Sequence, residues 1–204
     1  FILFIVMSLF VYYGLYKIAP RRQWVVLLVI SMVFYSWSAP INFVFIFITA
    51  ITVYLGGLRF QGYSEQYSIA KKLGGVNKDE LKVLKNSLQN KRRILLYVIL
   101  IINFGILAYI KYWHTLFEGF AALFHVGQDV HLSKMLLPLG ISFYMFQAAG
   151  YLIDVYNAKY DAEKNFFKFL LFISFFPQLI QGPINRFNQM SNDLYTPHSF
   201  DWEK

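Results

Sequence analysis

The chain has 204 residues, of which 57% are hydrophobic, 20% are aromatic and only 15% are charged. A soluble domain is closer to half apolar and a quarter charged, and a chain of this size could not bury so much apolar surface in a soluble core. The composition excludes an ordinary soluble globule, a disordered chain and a collagen-like fibre. It predicts an all-α, polytopic membrane protein. No cysteine is present, so disulfides and thiolate metal sites are excluded.

The chain is also basic, with a net charge of +8 from 19 Lys and Arg against 11 Asp and Glu. In a soluble protein this balance would suggest a nucleic-acid partner. Here the basic residues fall between apolar runs, where such clusters usually face anionic lipid. We therefore predict membrane lipid as their partner and no nucleic acid.

Apolar runs long enough for a spanning helix, about 20 residues each, recur along the chain. They predict spans at 1–19, 23–39, 41–58, 94–110 and 136–156, with a broken element at 166–187. The connections at 17–22 and 59–93 are rich in Lys and Arg, whereas the one near residue 38 is neutral. Because basic loops remain on the cytoplasmic side, we predict a cytoplasmic basic loop at 59–93 and an N-terminus outside.

Within this basic loop, residues 77–93 have the pattern of a polar helix. Asn77 and Glu80 have the spacing of a capping box, and Leu81, Leu84 and Leu88 form a stripe at helical spacing. Two interpretations stay open, a helix lying on the inner leaflet and a mobile basic linker. A second amphipathic pattern follows at 116–124.

Three histidines, His114, His125 and His131, lie between residues 111 and 134. No two of them have the i, i+4 spacing of a helical zinc motif. We therefore predict no metal site.

A polar seam follows in the span at 136–156. Gly140, Tyr144, Gln147, Tyr151 and Asp154 recur at intervals of three and four, so they share one face of a helix. Such a face avoids lipid and must meet protein or a watery cavity. Hydrogen bonding between helices and the lining of a cavity are both open. Asp154 lies close to Lys159 in sequence, so pairing with a cation is a third role.

The segment at 166–187 is interrupted by two prolines and a glycine. Its apolar stretch before Pro177 is too short to cross a bilayer, and Pro177 and Pro183 each remove a backbone donor. Broken backbone at membrane depth is tolerated only against protein or a water-filled cavity. The pattern predicts a helical bundle with a discontinuous or re-entrant element. Gln178 and Gln181 are candidates to satisfy the freed backbone groups. The alternative is a proline-kinked span without a functional role.

Motifs of soluble enzymes are missing from the sequence. There is no phosphate-binding loop, no G-x-G-x-x-G and no G-x-S-x-G elbow. On these residues alone, a transporter and an enzyme both remain possible.

Two longer motifs resemble a known family. Residues 137–147 read LPLGISFYMFQ, residues 151–156 read YLIDVY, and residues 173–184 read ISFFPQLIQGPI, followed by Arg186. These segments resemble the membrane-bound O-acyltransferase (MBOAT) family, and within it the alginate O-acetyltransferase membrane subunits of bacteria.

The resemblance implies a fold of many helices around a passage through the bacterial inner membrane. It implies an O-acyltransferase, with O-acetyl transfer to a cell-envelope polysaccharide. The acyl donor would be acetyl-CoA or an acyl-carrier thioester, with no tightly bound cofactor, and an extracytoplasmic partner protein would relay the acyl group. The alternative is a non-catalytic membrane scaffold or a transporter subunit.

The catalytic residue of this family is a membrane-embedded His in a W-H-G-like stretch, and no such stretch is present here. We therefore assign no catalytic residue and expect this sequence to be an inactive N-terminal portion of a longer enzyme.

The resemblance carries over a set of scaffold residues, expected to shape the passage and position the donor: Pro138, Gly140, Ser142, Gln147, Tyr151, Asp154, Pro177, Gln178, Gly182, Pro183 and Arg186. The Arg186 guanidinium suits an anionic part of the donor. An equal alternative is that Arg186 extends to lipid phosphate.

Overall fold

The computed structural model describes residues 2–16, 19–38, 43–73, 77–124, 140–181 and 185–198. In these ranges the chain forms helices and their connections without a strand, which confirms the all-α prediction. A short 3-10 turn at Pro20–Arg22 precedes α2. The helices are α1 Ile2–Tyr16, α2 Gln23–Ser38, α3 Phe43–Lys72, α4 Lys78–Phe124, α5 Ile141–Tyr156, α6 Phe166–Ser174, α7 Phe176–Gln181 and α8 Phe187–Tyr195.

Two of these helices are long and apolar enough to cross a membrane. They are α3, with 30 residues, and the Lys78–Tyr112 part of α4, with 35 residues. Helix α3 overlaps the span predicted at 41–58 from residue 43 onward, and this part of α4 contains the one predicted at 94–110. Of the spans predicted at 1–19, 23–39 and 136–156, the described residues form α1, α2 and α5, which have 15, 16 and 16 residues. Helices of that length extend about 24 Å at 1.5 Å per residue, less than the roughly 30 Å of hydrocarbon in a bilayer.

Residues 59–72 and 78–93 are helical, so the prediction of a loop needs correction for these residues. Helix α3 continues to Lys72, and α4 begins at Lys78. One of the two hydrogen bonds of the capping box is present, because the Asn77 backbone N–H donates to Glu80 Oε2 at 3.2 Å. The linker interpretation is therefore wrong for residues 77–93. No proline or glycine interrupts α4 before Gly105, so the polar helix, the apolar span and the amphipathic segment at 116–124 form one continuous helix.

Helix α3 packs against α4, α5 and α6 and forms the centre of the bundle. Its buried face includes Ile46, Ala50, Val53 and Phe60. Two adjacent glycines allow the close approach of its neighbours. A Cβ atom on Gly57 would lie 3.4 Å from the Tyr151 ring, and one on Gly56 would press against the ends of side chains from α4 and α5.

The outer surface of the helices is apolar. Exposed side chains include Leu3, Phe10, Val29, Trp37, Leu55 and Ile101. Soluble monomers rarely expose contiguous apolar patches of this kind. The surface therefore suits a lipid environment, in agreement with the membrane protein predicted from composition.

Candidate functional site

The broken element lies where α6 ends and α7 begins. Phe175 leaves the helical conformation, with φ −58° and ψ 106°, and α7 starts at the next residue. Pro177 occupies the first turn of α7, where a missing backbone N–H costs little. The displaced backbone N–H of Phe176 donates to the hydroxyl of Ser31 in α2, at 3.4 Å. The predicted discontinuity is thus present between 166 and 181, the described part of this segment.

Gln147 of α5 joins the two sides of this break. Its amide Nε2 donates to the Phe172 carbonyl at 3.2 Å and to Gln178 Oε1 at 3.0 Å. In an unbroken helix that carbonyl would accept from the Phe176 N–H, which binds Ser31 instead. Gln147 is 4% exposed and Gln178 is 7% exposed. We name Gln147, Gln178 and the Phe172 carbonyl the amide junction.

The polar seam of α5 faces the protein interior, as its spacing predicts. Tyr144, Gln147, Tyr151 and Asp154 are all buried. The Tyr151 hydroxyl accepts from the Glu163 backbone N–H at 2.9 Å. This seam therefore makes contacts between elements of the bundle, as the hydrogen-bonding interpretation requires.

Asp154 forms the cation pair predicted from sequence, with Lys159 Nζ 2.6 Å from Asp154 Oδ1. Tyr160 lies in the same connection between α5 and α6. Burial, reinforced by the Asp154 carboxylate, raises the pKa of the Tyr160 phenol far above its usual range. This end of the seam therefore holds a neutral phenol beside a paired carboxylate.

A groove of about 650 Å³ opens beside the break. Its walls come from α1, from the start of α2, from the α6–α7 break and from α8. The lining is mostly apolar, with hydroxyl, amide and carboxylate groups at intervals: Ile5, Ser8, Leu9, Tyr12, Tyr13, Leu27, Phe175, Phe176, Pro177, Asn185, Met190, Asp193 and Leu194. Met190 connects this groove to the amide junction, since its sulfur lies 3.9 Å from Gln147 Nε2.

The remaining candidates are more scattered. Gly140 precedes α5 with φ 73°, a left-handed conformation that favours glycine. Ser142 is half-buried in the first turn of α5, and Pro177 is exposed at the groove. Arg186 is exposed and precedes α8. Pro138, Gly182 and Pro183 lie outside the described residues.

Two residues of the site were not predicted from the sequence. Ser31 interrupts the apolar run of α2, and Met190 lies in the polar helix α8. The signal for Ser31 was available, because a lone hydroxyl within an apolar span commonly bonds another helix. Met190 carries no comparable sequence signal.

Metal ligands do not cluster in the described residues, where no group of three His, Asp or Glu side chains could hold an ion. His125 and His131 lie outside those residues. The predictions that concern them remain predictions.

The chain is similar to bacterial proteins along nearly its whole length. It is 32% identical to a probable alginate O-acetylase AlgI of Pseudomonas syringae over 94% of this chain, and 33% identical to that of Azotobacter vinelandii over 98%. The chain is a relative of the alginate O-acetylases. A peptidoglycan O-acetyltransferase of Helicobacter pylori is 28% identical over 54% of the chain. These matches confirm the resemblance that rested on residues 137–147, 151–156 and 173–186.

The chain spans about a third of the length of the alginate O-acetylases, 33% and 36% of the two named here. No family model matches it. No solved structure matches it either.

Proposed function

We propose that the chain is part of a membrane-bound O-acyltransferase that transfers an acetyl group to a cell-envelope polysaccharide. The names of its relatives support acyl transfer to a polysaccharide, alginate for the alginate O-acetylases and peptidoglycan for the Helicobacter pylori protein. The observation that carries the proposal for this chain is the amide junction, in which two buried glutamines are hydrogen-bonded at a helix break beside a groove.

The junction is suited to shaping a passage for an acyl group. A buried amide in an apolar bundle is retained only if its hydrogen bonds are satisfied, and here Gln147 satisfies the Phe172 carbonyl at the break. The break directs Phe175, Phe176 and Pro177 into the groove. In the proposal these residues border the acyl passage, and the eleven scaffold residues shape it or position the donor.

The direction of transfer is part of the same proposal. The basic region at 59–93 would lie in the cytoplasm of a bacterial cell, with the N-terminus outside and several spans in the inner membrane. The donor would be acetyl-CoA or an acyl-carrier thioester reaching the cytoplasmic face. The acceptor polysaccharide, and a protein that relays the acyl group, would be outside. The catalytic histidine would belong to a part of the enzyme beyond this chain.

Replacement of Gln147 tests the proposal. In cells that depend on the complete protein, Gln147→Leu removes the amide at similar size and leaves the Phe172 carbonyl without this donor. We expect the O-acetyl content of the envelope polysaccharide, measured by alkaline release and mass spectrometry, to fall at least about tenfold. The loss should occur at unchanged membrane abundance of the protein.

Gln66→Leu is the matched control, since Gln66 is an exposed residue of α3. It should preserve normal O-acetylation. Wild-type O-acetylation in the Gln147→Leu strain would contradict a role of the junction in acyl transfer. A strain that lacks the gene and keeps normal O-acetylation would contradict the proposed enzyme and favour a transporter or scaffold.

A further inference from the structure

A second, smaller cavity lies where α4 passes the C-terminal end of α5. It has a volume of about 380 Å³ and is lined by Gln89, Asn90, Arg92, Arg93 and Tyr156. Its lining is mainly polar, in contrast to the groove beside the break. Gln89, Arg92 and Arg93 are spaced i, i+3 and i+4, so they share one face of α4.

Arg92 is held in place by the bundle. One amino group of its guanidinium donates to the Tyr156 carbonyl at 2.5 Å. The same guanidinium lies 5.3 Å from the Tyr156 ring centroid and 5.8 Å from that of Phe60. The carbonyl belongs to the last turn of α5, where intrahelical partners are missing. These contacts orient Arg92 before any ligand arrives.

The positive charge at this cavity is not balanced by protein carboxylates. Within the described part of the chain, the ion pair joins Asp154 to Lys159, and neither Arg92 nor Arg93 has an acidic partner. The Nε–H of Arg92 is buried and has no acceptor. An anion in the cavity would balance the charge of the two guanidinium groups.

The cavity lies at the boundary between the polar and apolar halves of α4. On its N-terminal side lie the exposed polar residues Gln89, Asn90 and Lys91. After Arg93, the next exposed residues of α4 are apolar, as at Ile94 and Tyr97. A site at this level is reached both by lipid headgroups and by solutes from the adjoining water.

We propose that Gln89, Asn90, Arg92 and Arg93 form a binding site for a phosphate group. Two guanidinium groups can bind phosphate oxygens in a bidentate manner, and the two side-chain amides add N–H donors. The phosphate belongs either to the headgroup of an anionic phospholipid or to a soluble phosphorylated molecule. The site is separate from the amide junction and does not depend on acyl transfer.

The experiment compares exposed arginine and lysine variants of the complete protein. Arg93→Gln removes one charged donor from the cavity, and its exposed position makes disruption of the fold small. Lys91→Gln removes the same charge from an exposed neighbour that does not line the cavity. Arg92→Lys preserves the charge but loses the forked guanidinium.

The lipid source is tested in nanodiscs of phosphatidylcholine with added phosphatidylglycerol. Native mass spectrometry measures the apparent affinity for retained phosphatidylglycerol. If the site holds a lipid phosphate, Arg93→Gln and Arg92→Lys should each weaken that affinity by about tenfold, the effect of one lost charge-assisted hydrogen bond. Lys91→Gln should change it by less than about twofold.

The soluble source is tested in phosphatidylcholine alone, with inorganic phosphate and with ADP as probes. If the site holds a soluble phosphate, either probe should raise the unfolding temperature of the wild-type protein and of Lys91→Gln, and the rise should be lost in Arg93→Gln. If Arg93→Gln and Arg92→Lys behave like Lys91→Gln in both tests, the proposed phosphate site is wrong.

Discussion

At the α6–α7 break, single side chains from other helices replace the backbone hydrogen bonds that a continuous helix would make. Ser31 accepts from the Phe176 N–H, and Gln147 donates to the Phe172 carbonyl. Neither backbone group could remain unpaired without cost in a water-poor bundle. The break is therefore stabilised by partners that are distant in sequence.

Ser31→Ala should lower the free energy of unfolding by about 1 kcal/mol, since the buried Phe176 N–H would lose its acceptor. The measurement is unfolding of the complete protein in mixed micelles, followed by circular dichroism.

Ser36→Ala is the matched control on the same helix. The Ser36 hydroxyl is exposed and donates to the Met32 carbonyl, one turn earlier. We expect that variant to unfold like the wild type. Equal stability of the two variants would show that Ser31 does not support the break.

Among the elements, α3 sets how closely its neighbours pack. Gly56 contacts α4 through Ile99 and α5 through Leu152, whereas open space surrounds the Cβ position of Gly62 further along the same helix. Glycine normally weakens a helix relative to alanine, so its presence at Gly56 has a reason in packing.

Gly56→Ala and Gly62→Ala should therefore have effects of opposite sign. At Gly62 the alanine should raise the free energy of unfolding by about 0.5–1 kcal/mol from helix propensity alone. At Gly56 the new methyl group displaces two buried side chains, and overpacking of about 1–3 kcal/mol should outweigh that gain. Unfolding in micelles measures both, and stabilisation by Gly56→Ala would contradict the close packing of α3.

Over the whole molecule, α3 and α4 are the longest helices of the described residues, with 30 and 47 residues. Their polar parts at 59–72 and 78–93 are helical where the basic composition predicted a loop. The charge bias that predicts a cytoplasmic location acts on loops and helices alike, so the predicted orientation does not depend on this correction.

The orientation can be tested with single cysteines, because this sequence has none of its own. We expect Lys78→Cys in intact cells to be protected from a membrane-impermeant maleimide and to react after the membrane is opened.

Trp37→Cys provides the comparison, since Trp37 is 89% exposed near the end of α2 that is predicted to face outward. It should react in intact cells. Labelling of Lys78→Cys from outside, with Trp37→Cys protected, would reverse the proposed topology.

Local chemistry made several features predictable from the sequence. The capping box of α4 depends on residues three apart, the buried seam of α5 on helical spacing, and the break on Pro177. Each involves groups within about one or two turns of a helix, where backbone geometry alone decides which side chains meet. The ion pair of Asp154 with Lys159 belongs to the same class.

The extent of α4 was harder to predict, because a change from polar to apolar residues near Arg93 looks like the end of a loop. A helix continues through such a change when no residue stops it, so hydropathy marks the environment of a segment and not its ends. The sequence suggested Gln178 and Gln181 as partners for the broken backbone but did not suggest Gln147, which donates to the Phe172 carbonyl.

The sequence alone determined that the chain is helical, suited to a membrane and interrupted before Pro177, because composition, periodicity and proline chemistry act locally. Only the tertiary structure decided that Ser31 and Gln147 support the break and that Arg92 lies against Tyr156. Those pairs are separated by 145, 25 and 64 residues. Contacts over such distances depend on how whole helices pack, which no local pattern encodes.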